Sequence, residues 1–287
     1  MKMVVNLRRR LCLLIITVSL SVACFVLAGM SPTFTSVEFV DVGQADCTFV
    51  RTVGGRNILI DTGRYSKTGS SDISRFLTKK GVRKLDVVII SHYHDDHYGG
   101  LLDLIGKKNI SLLLMPLPSI REEEILLSYI ASNVSDDTKI KFFKTGESLD
   151  IGDNISITPV FANDESDDAN DRGLVLMLQC FDRRFLFTGD ITSEAEEKIL
   201  SLHNGESLDA DVLKIAHHGS KYSSSEEFCK AVSPEYSVIS VGNNSYGHPS
   251  GDVLARLSEF SEVLRTDNNG NITFYIEENS FKVSTAR

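Results

Sequence analysis

With 287 residues and 42% hydrophobic content, the chain is long enough to bury the core of one sizeable α/β domain. It carries 30 basic and 39 acidic residues, and four of the basic ones lie in the first 30 residues, so residues 31–287 have a net charge of −13. Proteins that hold long duplexes are usually basic on one face, and this balance therefore disfavours tight, non-specific binding of long nucleic acid.

The N-terminal segment has the pattern of an export signal. Three arginines, Arg8 to Arg10, precede eighteen uncharged residues from Leu11 to Ala28, which is a positive region followed by an apolar run. The length of this run suits a signal peptide, a lipoprotein signal or one transmembrane anchor. We expect residues 1–30 to direct export, with residues 11–28 able to attach the chain to the membrane. The positive-inside rule then predicts that the remaining domain lies outside the cytoplasm.

Residues 36–287 predict a single domain in which strands and helices alternate. Apolar and period-two runs predict strands at 37–42, 47–51, 57–61, 85–91, 111–115, 155–160, 174–180, 184–188, 211–216, 236–241 and 271–277. Helical spacing of apolar residues predicts helices near 71–80, 98–106, 121–133, 192–203, 224–232 and 250–260. This alternation indicates the α/β class.

The most informative stretch is SHYHDDHYGG, from Ser91 to Gly100. Within six positions it presents His92, His94, Asp96 and His97, the residue types that hold zinc, manganese or iron. The stretch follows a predicted strand, at the end of which open α/β sheets build their sites. Its two final glycines predict a turn that enters an apolar helix. The spacing indicates two adjacent metal sites.

The alternative is a surface loop that is rich in histidine for no chemical reason. Six of the seven histidines, however, lie in three short motifs, of which the others are HHGS, with His217 and His218, and YGHPS, with His248. Only His203 stands apart. Clustering of this kind favours the metal site over the surface loop.

Six motifs follow one another in an order that resembles a known family. They are Val40 to Gln44, Ile58 to Gly63, Ser91 to Gly100, Phe187 to Asp190, Ala216 to Ser220 and Asn244 to Pro249. This order is similar to that of the hydrolase domain of the ComEC family of DNA-uptake proteins, which has the metallo-β-lactamase fold. The resemblance covers roughly Ser36 to Ile276. It implies a four-layer αββα sandwich in one domain after the N-terminal segment.

The resemblance also implies two divalent ions, zinc or manganese, and their ligands. The implied ligands are His92, His94 and Asp190 in the first site, and Asp96, His97, Asp190 and one histidine of HHGS in the second. Strand alternation does not decide between His217 and His218. Similarity to phosphorylcholine esterases favours His218 as the ligand, with His217 contacting substrate or orienting a ligand. Asp61 is expected to orient a ligand histidine, and Asp41 to play a related part.

Two metals would share a water and lower its pKa, giving a hydroxide that attacks phosphorus or a carbonyl carbon. The candidate catalytic residues are Asp96, His217, Lys221 and His248. Lys221 and His248, with Tyr246, are candidates for contacting an anionic substrate or its leaving group. The expected substrate is a phosphodiester, such as single-stranded or short nucleic acid.

One segment departs from the family pattern. Many hydrolases of this fold supply a third histidine to the first site from the segment before TGD, and residues 169–178 contain none. Gly173 stands where the ComEC branch commonly has serine. Asn170, Asp171 or a water would then complete the site with oxygen, which should weaken zinc binding and leave manganese suitable.

Three function classes stay open. The first is an exported metal-dependent phosphodiesterase or nuclease. The second is another hydrolase of the same fold, such as a phosphorylcholine esterase of cell-wall polymers or a lactonase, and the third is a non-catalytic metal-binding module. No protein partner is predicted. Because one hydrophobic segment is present, we expect a hydrolase domain rather than an uptake channel.

Overall fold

A computed structural model of the chain describes residues 34–66, 71–163, 166–203 and 208–287. Contacts within Phe34–Arg287 hold them in one unit. The predicted export segment, residues 1–30, lies outside the described residues and stays a prediction. Among the helices in the described ranges, none combines the length and the hydropathy that crossing a bilayer requires.

In the described part of the chain, fifteen strands form two mixed sheets. In chain order they are β1 Thr35–Phe39, β2 Thr48–Arg51, β3 Asn57–Ile60, β4 Lys84–Ile89, β5 Asn109–Met115, β6 Lys139–Phe142, β7 Leu149–Gly152, β8 Ile155–Ala162, β9 Leu174–Cys180, β10 Arg183–Phe187, β11 Val212–Lys214, β12 Tyr236–Ile239, β13 Glu262–Arg265, β14 Ile272–Glu277 and β15 Ser280–Thr285. The first sheet has the order β15-β14-β1-β2-β3-β4-β5-β6, and the second has the order β13-β12-β11-β10-β9-β8-β7.

Seven helices lie between these strands along the chain. They are α1 Asp72–Lys79, α2 Asp95–Leu104, α3 Arg121–Asn133, α4 Ser193–His203, α5 Glu226–Val232, α6 Gly251–Leu257 and α7 Thr266–Asn269, as counted over the described ranges. The short α7 follows β13 directly.

Strand alternation separates three apolar clusters and so creates four layers. On β10, Phe185 and Phe187 enter the cluster between the sheets, whereas Leu186 points to the opposite face of its sheet. Phe187 stacks on Phe39 of the first sheet, with ring centroids 5.8 Å apart. The outer clusters hold buried residues of α1 to α3 against the first sheet and of α4 to α6 against the second. The expected αββα sandwich is confirmed.

The helix after the SHYHDDHYGG motif begins earlier than predicted. It starts at Asp95, and its two glycines lie inside the helix, not in a turn before it. A Cβ on Gly99 would lie 2.3 Å from Tyr65 N, and one on Gly100 would lie 2.0 Å from Thr62 O. Glycine is therefore needed because the helix packs directly on the loop that follows β3.

Candidate metal centre

The parallel strands of both sheets end beside one another, and buried polar side chains follow these ends. They are Asp61 after β3, His92 after β4, Asp190 after β10 and His218 after β11. A hydrogen bond from Leu174 N to Ser91 O, 2.9 Å long, joins the two sheets at this point. Four segments that are distant in sequence thus meet in one buried cluster.

A first group of possible ligands consists of His92, His97 and Asp190. The Asp190 carboxylate faces both rings with different oxygens: Oδ1 lies 3.3 Å from His97 Nε2, and Oδ2 lies 4.0 Å from His92 Nε2. One ligand atom from each of the three residues lies within 4.8 Å of the others. All three side chains are buried.

A second group consists of Asp96, His97 and His218. Asp96 Oδ2 lies 3.6 Å from His218 Nε2, and the ligand atoms of this group also lie within 4.8 Å of one another. Because His97 belongs to both groups, the two positions are adjacent. A carboxylate with two oxygens aimed at neighbouring positions, as Asp190 has, suits a pair of cations.

Asp61 orients His97. Its Oδ2 accepts from His97 Nδ1 at 2.8 Å, and its oxygens also accept from Ser91 N and Ser91 Oγ. The ring is thereby turned so that Nε2 faces Asp190. This is the carboxylate–histidine arrangement that sets the orientation of metal ligands, and the role of Asp61 in orienting such a ligand stays a prediction.

Both histidines of HHGS lie in a tight turn, Ala216–Gly219. His217 and His218 both have left-handed backbones, with φ of 49° and 54°, a conformation that costs energy for residues other than glycine and concentrates at functional sites. His218 Nδ1 donates to Ser240 O at 2.7 Å, which turns Nε2 toward Asp96 Oδ2, 3.6 Å away. The two backbones are alike, and the histidines differ in the position of the ring: His218 faces Asp96, whereas the ring of His217 lies 5.3 Å from that of His248.

The charges of the cluster are strongly coupled. Burial works against a charged His97, but the carboxylates of Asp190 and Asp61 outweigh it and raise the pKa of this ring. Burial and the neighbouring His97 lower the pKa of His92. For Asp96 and Asp190, burial is outweighed by the nearby histidines, which lower the pKa of each carboxyl. The carboxylates are thus held in the charged form that ligates cations.

Several polar atoms of the cluster are buried without a hydrogen-bond partner. They include His97 Nε2, His218 Nε2 and Asp190 Oδ1. Leaving such an atom unsatisfied costs about 1–3 kcal/mol, and the three face one another across the two groups. Imidazole nitrogen and carboxylate oxygen are good donors to zinc and manganese. The residues therefore fit divalent ions, by donor type and by their lack of other partners.

Two further residues of the cluster were not predicted. Lys214, at the end of β11, is buried, forms an ion pair with Asp46 and donates to Gly189 O at 2.9 Å. Burial opposes the charge on Lys214, but Asp46 and Asp190 outweigh it and raise its pKa. Asp46 Oδ2 also lies 3.7 Å from His97 Nδ1. In the sequence, the lysine at the end of the otherwise apolar strand β11 is the feature that could have indicated this ion pair.

Asp41 does not take the place expected for it. Its carboxylate accepts from Arg287 at 3.0 Å and from Gly43 N at 3.4 Å, so it joins the C-terminus to the loop after β1. Asp46, five residues later, is the carboxylate of this loop that reaches the histidines. Asp171 is also occupied elsewhere, because both of its oxygens accept from Thr192.

The remaining predicted residues lie around the cluster. His94 precedes α2, and its Nδ1 lies 3.1 Å from His92 Nε2; its ligand role stays a prediction. The His248 ring lies 5.3 Å from that of His217, and His248 Nδ1 is buried without a partner. Lys221 is exposed, with its ammonium 5.0 Å from the centre of the Tyr222 ring.

Comparison with known proteins identifies the family. A model of the metallo-beta-lactamase superfamily matches residues 40–243, a span that contains both ligand groups. The chain belongs to this superfamily.

Close packing explains the glycine at position 173. A Cβ there would lie 2.7 Å from Ser91 O and 2.9 Å from His92 Cβ. Because the two sheets approach closely at this point, a side chain on residue 173 would require the Ser91–His92 segment to shift.

Curated relatives include competence proteins. The chain is 34% identical to ComE operon protein 3 of Bacillus subtilis over 83% of its own length, and 31% identical to competence protein ComA of Neisseria gonorrhoeae over 88%. These alignments cover 32% and 34% of the relatives, so the chain spans about a third of their length. The resemblance to the ComEC family is confirmed.

Solved structures show the same fold at low identity. The metallo-beta-lactamase fold protein YhfI of Bacillus subtilis superposes with a TM-score of 0.54 at 15% identity, over 84% of this chain and 99% of that one. Zinc-bound PqqB of Methylobacterium extorquens has a TM-score of 0.52 at 14% identity, over 80% of this chain and 87% of that one. At these identities the likeness concerns the fold alone.

Proposed function

We propose that this chain is a metal-dependent phosphodiesterase that cleaves single-stranded or short nucleic acid. The observation that carries the proposal is the convergence of unpartnered histidine nitrogens and carboxylate oxygens on two adjacent positions. The relation to competence proteins over most of the chain supports nucleic acid as the substrate.

The cluster would hold two divalent ions, zinc or manganese. His92 and Asp190 would hold one of them, and Asp96, His97 and His218 would hold the other. Such a pair supplies Lewis acidity and an activated water for attack on phosphorus. Asp61 would hold the His97 ring in the orientation that metal binding requires.

Residues beside the cluster would handle the substrate. Burial, followed by the neighbouring His217 and His218, lowers the pKa of His248, so this ring is neutral at physiological pH. The His248 ring is only partly buried and lies between those of His217 and Tyr246, where it can contact a phosphate or leaving-group oxygen. Burial also lowers the pKa of His217, and the exposed Lys221 would add a positive charge for an anionic substrate.

We also propose that the domain works outside the cytoplasm, secreted, lipidated or anchored by residues 11–28. The arginine triplet and the apolar run of the sequence support this proposal. Fractionation of cells that express the tagged chain tests it: recovery only from the cytoplasm would refute it.

The test of the catalytic proposal is cleavage of a labelled single-stranded oligonucleotide by the full chain, purified in detergent, with added Mn²⁺ or Zn²⁺. Metal content is measured on the same sample. An Asp190→Ala sample, prepared identically, controls for contaminating nuclease. We expect metal-dependent cleavage that the variant lacks.

Absence of cleavage by a protein that carries metal would refute the nuclease proposal. Phosphorylcholine esters and lactones would then be the substrates to assay. A protein that binds neither ion would instead refute the metal centre, and with it every hydrolase on this fold that depends on such a centre.

A further inference from the structure

A groove opens beside the second ligand group, on the side of Asp96. It encloses about 360 Å³, within the range of small-molecule sites. Its lining consists of Gln44, Arg64, Asn243, Asn244, Ser245 and Tyr246. None of these six side chains is acidic, although the domain as a whole carries a large negative charge.

Arg64 connects the groove to the candidate metal centre. Its guanidinium donates to Asp96 Oδ2 at 3.2 Å, and the Tyr246 side chain lines the same groove. The Arg64 side chain is half exposed, so it remains accessible to an anion. An anionic group that binds Arg64 would therefore lie next to the residues that hold the reacting phosphodiester.

Aromatic rings continue from the centre into the groove. The His217 and His248 centroids are 5.3 Å apart, and those of His248 and Tyr246 are 5.9 Å apart with planes tilted by 33°. Tyr246 is 68% exposed, a large fraction for an aromatic side chain with a partner on one side. Its outer face is available to a flat group from solution.

The loop that carries Tyr246 is held rigidly. Asn244 Oδ1 accepts from the backbone N–H groups of Tyr246 and His248, and Asn244 Nδ2 donates to the carbonyls of Gly242 and His248. Four hydrogen bonds from one amide hold the backbone that carries the exposed ring in place before any ligand arrives. Such preorganisation reduces the entropy lost on binding.

A fixed aromatic face beside a guanidinium suits a nucleotide. Bases stack on exposed aromatic side chains, and this stacking contributes about 1–3 kcal/mol per base irrespective of sequence. Arginine binds phosphate through its planar fork. A choline head group, by contrast, is a cation. An aromatic face would attract it, but the positive charge of Arg64 would repel it.

We propose that the groove between Arg64 and Tyr246 is the subsite for the nucleotide adjoining the scissile phosphodiester, with its phosphate on Arg64 and its base stacked on Tyr246. The inference rests on the proposed phosphodiesterase function. It commits the enzyme to unstacked single strands, because a base held in a duplex cannot reach the ring.

The test compares two labelled single strands of roughly ten nucleotides, one of thymidines and one with abasic residues throughout, each with the metal-loaded full chain. The variants are Tyr246→Ala, Tyr246→Phe and, as a matched control, Tyr129→Ala, which removes a tyrosine that is 55% exposed on α3. We expect the wild type to prefer the thymidine strand about 5- to 100-fold in kcat/KM, which corresponds to the stacking energy of one base.

Tyr246→Ala should abolish this preference through a higher KM for the thymidine strand. Tyr246→Phe and Tyr129→Ala should retain it. A preference that survives in Tyr246→Ala, or a wild type that cleaves both strands equally well, would overturn the subsite while leaving the phosphodiesterase function intact.

Binding of non-cleavable phosphorothioate versions of the strands, followed by fluorescence anisotropy, separates the two proposals. If the wild type cleaves neither strand but binds the thymidine strand more tightly, and Tyr246→Ala does not, the subsite stands and the catalytic proposal fails. Equal binding of both strands by wild type and variant would overturn the subsite.

Discussion

Two kinds of buried carboxylate differ in what their oxygens contact. Asp103, Asp171 and Glu196 each accept with both oxygens from hydroxyl, ammonium or backbone N–H groups of neighbouring segments. Asp190 is buried to the same degree, but its Oδ1 has no hydrogen-bond partner and lies opposite the unpartnered Nε2 of His97.

The difference shows that burial and charge alone do not identify a site. A carboxylate whose oxygens both accept hydrogen bonds joins one segment to another. A buried carboxylate oxygen that faces unpartnered nitrogens costs free energy, which a cation bound at that position would recover. Variants that change one kind of carboxylate or the other therefore test whether the two roles are separate.

The largest effect is expected from Asp190→Ala. This change removes the carboxylate that faces both ligand positions, and we expect cleavage activity to fall by at least about 100-fold. Asp171→Ala is the matched control, since it removes a buried carboxylate whose side-chain hydrogen bonds, within the described ranges, are with Thr192. Its activity per folded molecule should stay close to that of the wild type. Equal losses in both variants would contradict the comparison.

Added metal should stabilise the folded protein by binding at the candidate metal centre and at no other position. An ion present at a hundred times its dissociation constant stabilises the folded state by about 2.7 kcal/mol, which raises Tm by roughly 5–10 °C for a domain of this size. Differential scanning fluorimetry of chelator-treated protein, with and without Mn²⁺ or Zn²⁺, measures the shift. It should vanish in Asp190→Ala and persist in Asp171→Ala.

Asp61→Asn should weaken metal binding without abolishing it. Residues that orient metal ligands typically contribute 10- to 100-fold to affinity, and the amide can still accept one of the hydrogen bonds that Asp61 receives from Ser91. Titration of the chelator-treated variant with metal gives the affinity. An unchanged affinity would show that His97 needs no partner at Nδ1.

Interior strands were predictable, whereas edge strands were not. The eleven strands predicted from apolar runs match all the interior positions of the two sheets. The four that escaped, β6, β7, β13 and β15, are the four sheet edges. Edge strands carry charged residues that discourage pairing with other chains, as in Lys139–Phe142 and Glu262–Arg265. The charged residues that protect an edge strand thus interrupt the apolar run from which a strand is predicted.

The candidate site divides in a similar way. Neighbouring histidines and a carboxylate on one loop revealed His92 and His97, and the ordered motifs of the family brought in Asp190. Asp46 and Lys214 escaped because each stands alone in its segment, and only the folded chain pairs them. A single buried ion pair leaves no spacing pattern in the sequence.

Asp103→Asn should reduce stability and leave the centre intact. Asp103 joins the start of α1 to α2 by accepting from Ser71 N and Ser71 Oγ and by pairing with Lys107. The amide retains an acceptor for Ser71 but loses the charge that Lys107 contacts, at a cost of about 1 kcal/mol in the free energy of unfolding. Denaturant unfolding measures the loss. A fall in metal affinity with no loss of stability would contradict the assignment.

The same variant tests a smaller, pH-dependent effect. Burial opposes the charge on Asp103, but the hydrogen bonds from Lys107 and Ser71 outweigh it and lower the pKa of this carboxyl. The folded protein therefore binds fewer protons than the unfolded chain as the pH falls below about 4. The stabilisation by Asp103 is fully present above that pH and is lost as the pH falls through its folded pKa. Unfolding measured from pH 5 to pH 3 should show a steeper loss for the wild type than for Asp103→Asn, and parallel curves would mean that Asp103 holds α1 without its charge.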